Sequence, residues 1–338
     1  MRCGHPGIKL SKVSEPKSTM PTVAYYTVAN AAHYAGAVAL LNSLRLVGED
    51  APFYLVDCGL TPSQLAALQG HAIVVPRHKH LHPVLQKATG PLAHPAEIMV
   101  ILDADVIVTR PLSPLVEAAG SDRIVVLEND RDRYFAEWAR LGLGQPMRRR
   151  YVACGHIIVP SAVAAEFLPL FAELQEQLDP AETHFGGGRP SSPFFFADQD
   201  VLNAMLCTRF DAQVHRFEYR LAPLPPFPGL RVIDADRLRC RYDDGVEPHF
   251  LHHAFSKPWL ASLKPTVYSE LFTRAVSRPD VLVRLRARDV PPRLRKSRLA
   301  WIDRRRASLQ AEAHSRFRGK LGVRPALMRY WRAVARNL

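Results

Sequence analysis

The 338-residue chain predicts an α/β domain built on a mainly parallel sheet. Two observations carry that expectation. Short runs rich in Val, Ile and aromatics alternate with segments of helical character, the pattern of βαβ units. One run, Ile98-Met99-Val100-Ile101-Leu102, shows no polar alternation, as expected of a central strand buried on both faces.

The elements follow in order. Val23 to Val28 reads as the first strand, and the Ala- and Leu-dense stretch Gly36 to Leu46 as the helix after it. Phe53 to Cys58 is the second strand. The next helix is punctuated at both ends, with Thr61 as N-cap, Pro62 in the first turn and Gly70 just past the end. Ile73 to Pro76 and Ile98 to Leu102 are strands, as are Ile124 to Leu127, His156 to Val159 and His249 to Leu251. Helices are expected at Ala162 to Gln177 and around Asp200 to Leu206. The segment His184 to Pro193 contains three adjacent glycines but no GK[ST] and no preceding strand, so it reads as a mobile connection or lid rather than a phosphate cradle.

Composition narrows the function classes. Hydrophobic content of 47% allows a sizeable core, and no apolar run approaches the roughly 18 residues needed to span a bilayer. The first twenty residues lack the apolar centre of a secretory signal and read as a disordered leader. Five widely spaced cysteines with no CxxC pair suit free thiols, and with them a cytoplasmic setting. The net charge of +13 is unevenly spread: Val281 to Leu338 holds 17 Lys and Arg against 3 acidic residues, leaving 28 basic and 29 acidic residues for the rest. The body is neutral and the charge belongs to a tail, which argues against specific nucleic-acid binding; no helix-turn-helix, RNP or zinc-finger pattern is present either.

Two segments carry chemistry. Asp103-Ala104-Asp105 stands where the buried strand Ile98–Leu102 runs out, and in open α/β sheets ligands bind at the carboxyl ends of strands. Two carboxylates so close repel each other unless a cation sits between them, and a divalent ion there can take diphosphate oxygens in its remaining positions. The second segment, His249-Phe-Leu-His-His-Ala-Phe-Ser-Lys-Pro-Trp259, delivers His252 and His253 from a strand and then Lys257. Imidazole with carboxylates suits manganese, and a lysine can neutralise charge on a departing diphosphate.

Five segments, in order, resemble the family-8 glycosyltransferases, the group of glycogenin and of bacterial lipopolysaccharide galactosyl- and glucosyltransferases. They are Thr27-Val-Ala-Asn30 with the helix after it, Lys87 placed 16 residues before Asp103, Asp103-Ala-Asp105, Asp198-Gln-Asp-Val-Leu-Asn203, and His252 through Lys257-Pro-Trp259. The match runs over about residues 22–260. It implies a glycosyltransferase-A fold, a mixed Rossmann-like sheet flanked by helices, over 21–265, after the leader 1–20 and before a basic helical extension 266–338.

The resemblance further implies a retaining hexosyl transfer from a UDP-sugar to a saccharide, lipid-linked or other hydroxyl acceptor, dependent on Mn2+ or Mg2+. It makes Asp103, Asp105 and His252 metal ligands, with His253 the alternative to His252. Thr27, Asn30, Lys87, Ala104, Gly155 and Lys257 become donor contacts, and Asp198, Gln199 and Lys257 the residues at the reacting centre. Ala153, in Tyr151-Val-Ala-Cys-Gly-His156, stands where the family has Asn, so the donor sugar is expected to be unusual. No carboxylate is assigned as nucleophile, which favours same-face attack over double displacement. For Asp198, a helix N-cap role is equally consistent with the sequence.

Other readings are a sugar nucleotidyltransferase, for which Thr27-Val-Ala-Asn-Ala-Ala-His33 lacks the glycine-rich loop, and a nucleic-acid- or membrane-binding protein with a degenerate catalytic domain. Within the tail, Leu327, Trp331, Val334 and Leu338 share one helical side and Arg329, Arg332 and Arg336 the other. Such a basic amphipathic helix predicts docking on an anionic membrane surface, peripheral on its inner face.

Overall fold

The computed structural model describes Met20, residues 22–254, Lys257, Trp259, residues 266–291 and Leu294. Most of the leader 1–20 and the expected amphipathic tail helix of Leu327 to Leu338 lie outside the described residues.

Seven strands form one mixed sheet. In chain order its members are β1 (Val23–Ala29), β2 (Phe53–Asp57), β3 (Ile73–Pro76), β4 (Ile98–Leu102), β6 (Ile124–Glu128), β7 (Val152–Pro160) and β8 (Val214–Phe217). Their spatial order is β3-β2-β1-β4-β7-β6-β8. The pairs β3–β2, β2–β1 and β1–β4 are parallel, so this half meets the expectation. β7 then enters antiparallel between β4 and β6, with Leu102 opposite His156. It is twice as long as the sequence pattern indicated and buried along all nine residues. Its first half, Val152-Ala-Cys-Gly, is poor in β-branched residues and is held extended by its neighbours rather than by its own propensity.

Alternation along β1 feeds two cores, one on each face of the sheet. Tyr25 packs on one side with α1 (Tyr34–Leu46) and α4 (Ser113–Ala119), and Tyr26 on the other with α5 (Ser161–Glu176) and α6 (Asp198–Leu206). The helix α2 (Pro62–Leu68) begins as expected, with Thr61 and Gln64 forming a reciprocal capping box. Unanticipated were α3 (Thr89–Ala93), α4, β5 (Val106–Val108), β8 and the hairpin of β9 (Leu230–Asp234) with β10 (Arg239–Tyr242). All are short, and brief apolar runs do not separate strand from helix.

The helix α1 is buried on every side from Tyr34 to Leu44. Its outer face is covered by α7 (Val267–Ser277), whose Tyr268, Leu271, Phe272, Ala275 and Val276 belong to the same core. Asn42 clamps the two: its Nδ2 donates to the carbonyls of Ala275 (2.8 Å) and Val283 (2.9 Å), and its Oδ1 accepts from the Val283 N–H (2.9 Å). Residues 267–283 thus belong to the same packed core as α1. Among the described residues no helix is long and apolar enough to cross a membrane.

Candidate metal and donor site

The site is assembled where several chain segments converge beyond the carboxyl end of β4. Asp103-Ala104-Asp105 forms a tight turn between β4 and β5, with Asp103 N–H bonded to the Gly155 carbonyl (2.9 Å) and Val106 N–H to the Asp103 carbonyl (3.0 Å). The strand β11 (Phe250–His252) runs antiparallel to β5 and sets His252 opposite Val106. The strand begins one residue later than expected, and this puts His252 inside the ladder. Its Nε2 lies 3.2 Å from Asp105 Oδ1 and 3.7 Å from Asp103 Oδ2. His253 points away, its ring 5.1 Å from that of Tyr268 and 6.4 Å from that of Phe227, and burial depresses its pKa to about 4.

Glycine makes this packing possible. A β-carbon on Gly155 would stand 2.3 Å from His252 Cε1 and 2.6 Å from Nδ1. On Gly36 it would stand 2.3 Å from the Ala104 carbonyl oxygen and 2.4 Å from the Trp259 ring. Trp259, whose indole N–H donates to the Ala32 carbonyl (2.8 Å), anchors the segment that carries Lys257.

Two lysines balance the carboxylates. Lys257 pairs with Asp105 and donates to the His253 carbonyl (3.1 Å). Lys87, nearly inaccessible, reaches Asp103 (2.7 Å), Asp198 (2.8 Å) and the Cys154 carbonyl (2.7 Å). Burial alone would raise the Asp105 pKa, but Lys257 and His252 hold it well below the usual carboxylate range. Burial likewise works against charge on Lys87, and Asp103 and Asp198 overcome it, so its pKa lies well above that of a free lysine.

Asp198 is the first residue of α6 and not its N-cap. That position falls to Ala197, at φ 51, and no side chain caps the helix. The Asp198 carboxylate is spent on Lys87 instead, and the Cys154 thiol, its pKa raised by burial and by Asp198, donates to it (3.3 Å). A positive φ on alanine costs about 1–3 kcal/mol, and such strain concentrates at functional positions. Gln199 Oε1 accepts from Cys154 N–H (3.2 Å). Asp200 is fully enclosed, held by Arg133 (2.8 Å), the Tyr151 hydroxyl (2.8 Å) and Phe196 N–H (2.7 Å). Asn203 binds both backbone groups of Val152. Arg133, Tyr151 and Cys154 carried no sequence signal as site residues, because their partners are 44 to 67 positions away.

Thr27 and Asn30 are not joined to the carboxylates. Thr27 is buried within β1 with its hydroxyl unpartnered, and Asn30 Oδ1 accepts from His33 N–H (3.1 Å). His33 in turn lies within the fields of Lys257, Asp105 and Asp103. The loop His184–Pro193 is pinned rather than free: Arg133 donates to the Pro190 carbonyl (3.0 Å) and Trp138 to that of Pro193 (2.7 Å).

Asp103, Asp105 and His252 each offer one ligand atom, all within 4.8 Å of one another. The donor set fits a divalent cation of the manganese or magnesium type. The placement of His252 fits as well, since its Nε2 faces both carboxylates.

No protein-family model matches the chain, and no curated protein matches it in sequence. Solved structures do match in shape. The galactosyltransferase LgtC, in complex with donor and acceptor sugar analogues, superposes with a TM-score of 0.50 at 17% identity, over 76% of this chain and 98% of that one. An active-site mutant of LgtC gives 0.52 at 16% identity over the same shares. The bifunctional glycosyltransferase WbbM gives 0.51 at 14% identity over 80% of this chain, which spans about half (51%) of that one. The mixed seven-stranded sheet and its flanking helices are those of these enzymes: the chain has the glycosyltransferase-A fold.

Proposed function

We propose that the protein is a glycosyltransferase that moves a hexose from a UDP-sugar to a hydroxyl acceptor with retention of anomeric configuration. The observation that carries this reading is the cluster of Asp103, Asp105 and His252 at the carboxyl end of β4, in a fold shared with a galactosyltransferase solved with donor and acceptor sugar analogues.

Asp103, Asp105 and His252 would hold Mn2+ or Mg2+, which supplies positive charge to the donor diphosphate. Lys257 swings from Asp105 to the diphosphate oxygen as charge builds on it. Lys87 keeps Asp198 and Asp103 in fixed relation, so Asp198 and Gln199 face the transferring sugar as a rigid pair. Asp200 is enclosed by Arg133 and Tyr151 and has no path to an anomeric carbon, and Asp198 is committed to Lys87. This favours same-face attack. The acceptor oxygen bonds to the anomeric carbon as the bond to the diphosphate oxygen breaks, and the hydroxyl proton passes to the leaving diphosphate. The basic tail would hold the enzyme at an anionic membrane surface, a role resting on sequence alone.

Incubation with a panel of UDP- and GDP-sugars plus manganese tests the reading. Release of nucleotide diphosphate from one UDP-sugar is expected, with an α-configured product from an α-configured donor. Absence of turnover across the panel, or a β-linked first product, refutes it in whole or in its stereochemistry.

A further inference from the structure

The segment between β3 and Lys87 carries a one-sided charge pattern. From Arg77 to Ala96 there is no Asp or Glu, and Arg77, His78, Lys79, His80 and His82 are all exposed. Several exposed arginines elsewhere on the surface are met by acids: Arg140 by Glu182, Arg149 by Asp211, Arg209 by Glu166. Arg77 and Lys79 have no carboxylate at ion-pair distance among the described residues, on a body that is close to neutral overall.

The strap is held in shape. Gln86, fully buried, accepts from His78 N–H (3.0 Å) and donates to the carbonyls of His78 (2.7 Å) and Leu81 (3.2 Å). Thr89 adds a bond to the same Gln86 oxygen (2.9 Å). Backbone positions 78 and 81 are thus fixed from below by one buried amide, and Lys79 and His80 stand on the turn between them.

Its placement ties it to the site. Pro76, at the end of β3, registers with Asp57, and Asp57 with Ala29, so the strap leaves the sheet at the edge where the parallel strands end. Farther along, the His82 ring stacks on Phe185 (4.0 Å, 6° between planes), and Lys87 reaches Asp103 and Asp198. The strap therefore runs into the site through Lys87, at Asp198 and Asp103, while Asp105 is paired with Lys257.

We propose that the acceptor is an anionic saccharide, bearing a phosphate or a carboxylate, and that Arg77 and Lys79, aided by His78 and His80, receive that group. The proposal rests on the glycosyltransferase reading above. It identifies the class of acceptor which that reading leaves open.

Three probes test it on the full chain: glucose, glucose 6-phosphate and glucuronate. Binding is followed by NMR of the histidine ring signals, and each probe is also offered as acceptor with the UDP-sugar. At least one charged probe is expected to bind about tenfold or more tightly than glucose and to shift the His78 and His80 signals. Raising salt to about 0.5 M should erase most of the difference, since exposed charges are then screened. The double variant Arg77→Ser/Lys79→Ser, confined to exposed positions, should abolish the preference and leave the donor KM unchanged. A preference for glucose 6-phosphate assigns a phosphate, and one for glucuronate a carboxylate. Equal binding of all three probes overturns the proposal. So does a double variant that keeps its anion preference or that raises the donor KM, which would assign the strap to the donor. Failure of the parent reading shows separately, as absence of turnover of every nucleotide sugar, while the NMR arm still reads the strap.

Discussion

The imidazole of His252 occupies the space that a β-carbon on Gly155 would require. One residue lies on β7 and the other on β11, and their fit fixes how far the imidazole reaches toward Asp103 and Asp105. Gly155→Ala should therefore displace His252 without unfolding the sheet, since overpacking by one methyl costs about 1–3 kcal/mol. Calorimetric titration should show manganese affinity falling at least about tenfold, as expected when a ligand's supporting contact is lost. Unchanged affinity would separate His252 from the metal.

Removal of a carboxylate from the cluster should be more severe. Asp105→Ala deletes a ligand and removes the carboxylate that pairs with Lys257, and the loss in turnover should be on the order of a thousandfold. EDTA should have the same effect on the unaltered enzyme, with recovery on adding manganese. Turnover that survives EDTA would exclude the assignment.

Lys87 joins two carboxylates inside the protein, so its loss is expected to weaken both fold and site. Lys87→Met leaves Asp103 and Asp198 facing each other without a cation, and breaking a buried pair typically costs about 3–5 kcal/mol. Denaturant unfolding should show that loss. Lys87→Arg should restore part of the stability. A change below about 1 kcal/mol for Lys87→Met would mean that water already screens the pair.

His249 gives a pH dependence away from the metal cluster. Burial first, and Arg110 second, depress its pKa from 6.5 to about 4, with Nδ1 placed 3.1 Å from the Pro111 carbonyl. The folded state binds this proton less readily than the unfolded chain. The associated stability is complete above about pH 6.5 and is lost as pH falls toward 4, by at most about 3 kcal/mol. His249→Gln should flatten that part of the stability profile in urea titrations at pH 7, 5.5 and 4. A profile identical to that of the unaltered protein would show that other groups carry the dependence.

Legibility in the sequence followed the range of the interactions. The turn Asp103–Asp105 and the capped helix at Thr61 were readable because every determinant lies within a few residues. Phe250–His252 was nearly so, and its partner strand Val106–Val108 was not, since three apolar residues carry no period of their own. The roles of Asp198 and Asp200 are set by Lys87, Arg133 and Tyr151, all distant in sequence. Propensity favours an aspartate cap at the start of α6, and tertiary charge pairing overrides it. The pinning of the glycine-rich loop by Arg133 and Trp138 was likewise invisible to local pattern.

The clamp of Asn42 on Ala275 and Val283 has a practical consequence for anyone shortening this protein. A recombinant fragment ending at residue 265 would strip Tyr268, Leu271 and Phe272 from the outer face of α1 and leave the Asn42 amide without partners. That fragment should precipitate on expression, whether or not the tail has a role of its own. Deletions meant to isolate the tail's contribution should instead cut after Leu294, which still packs against the core around α1.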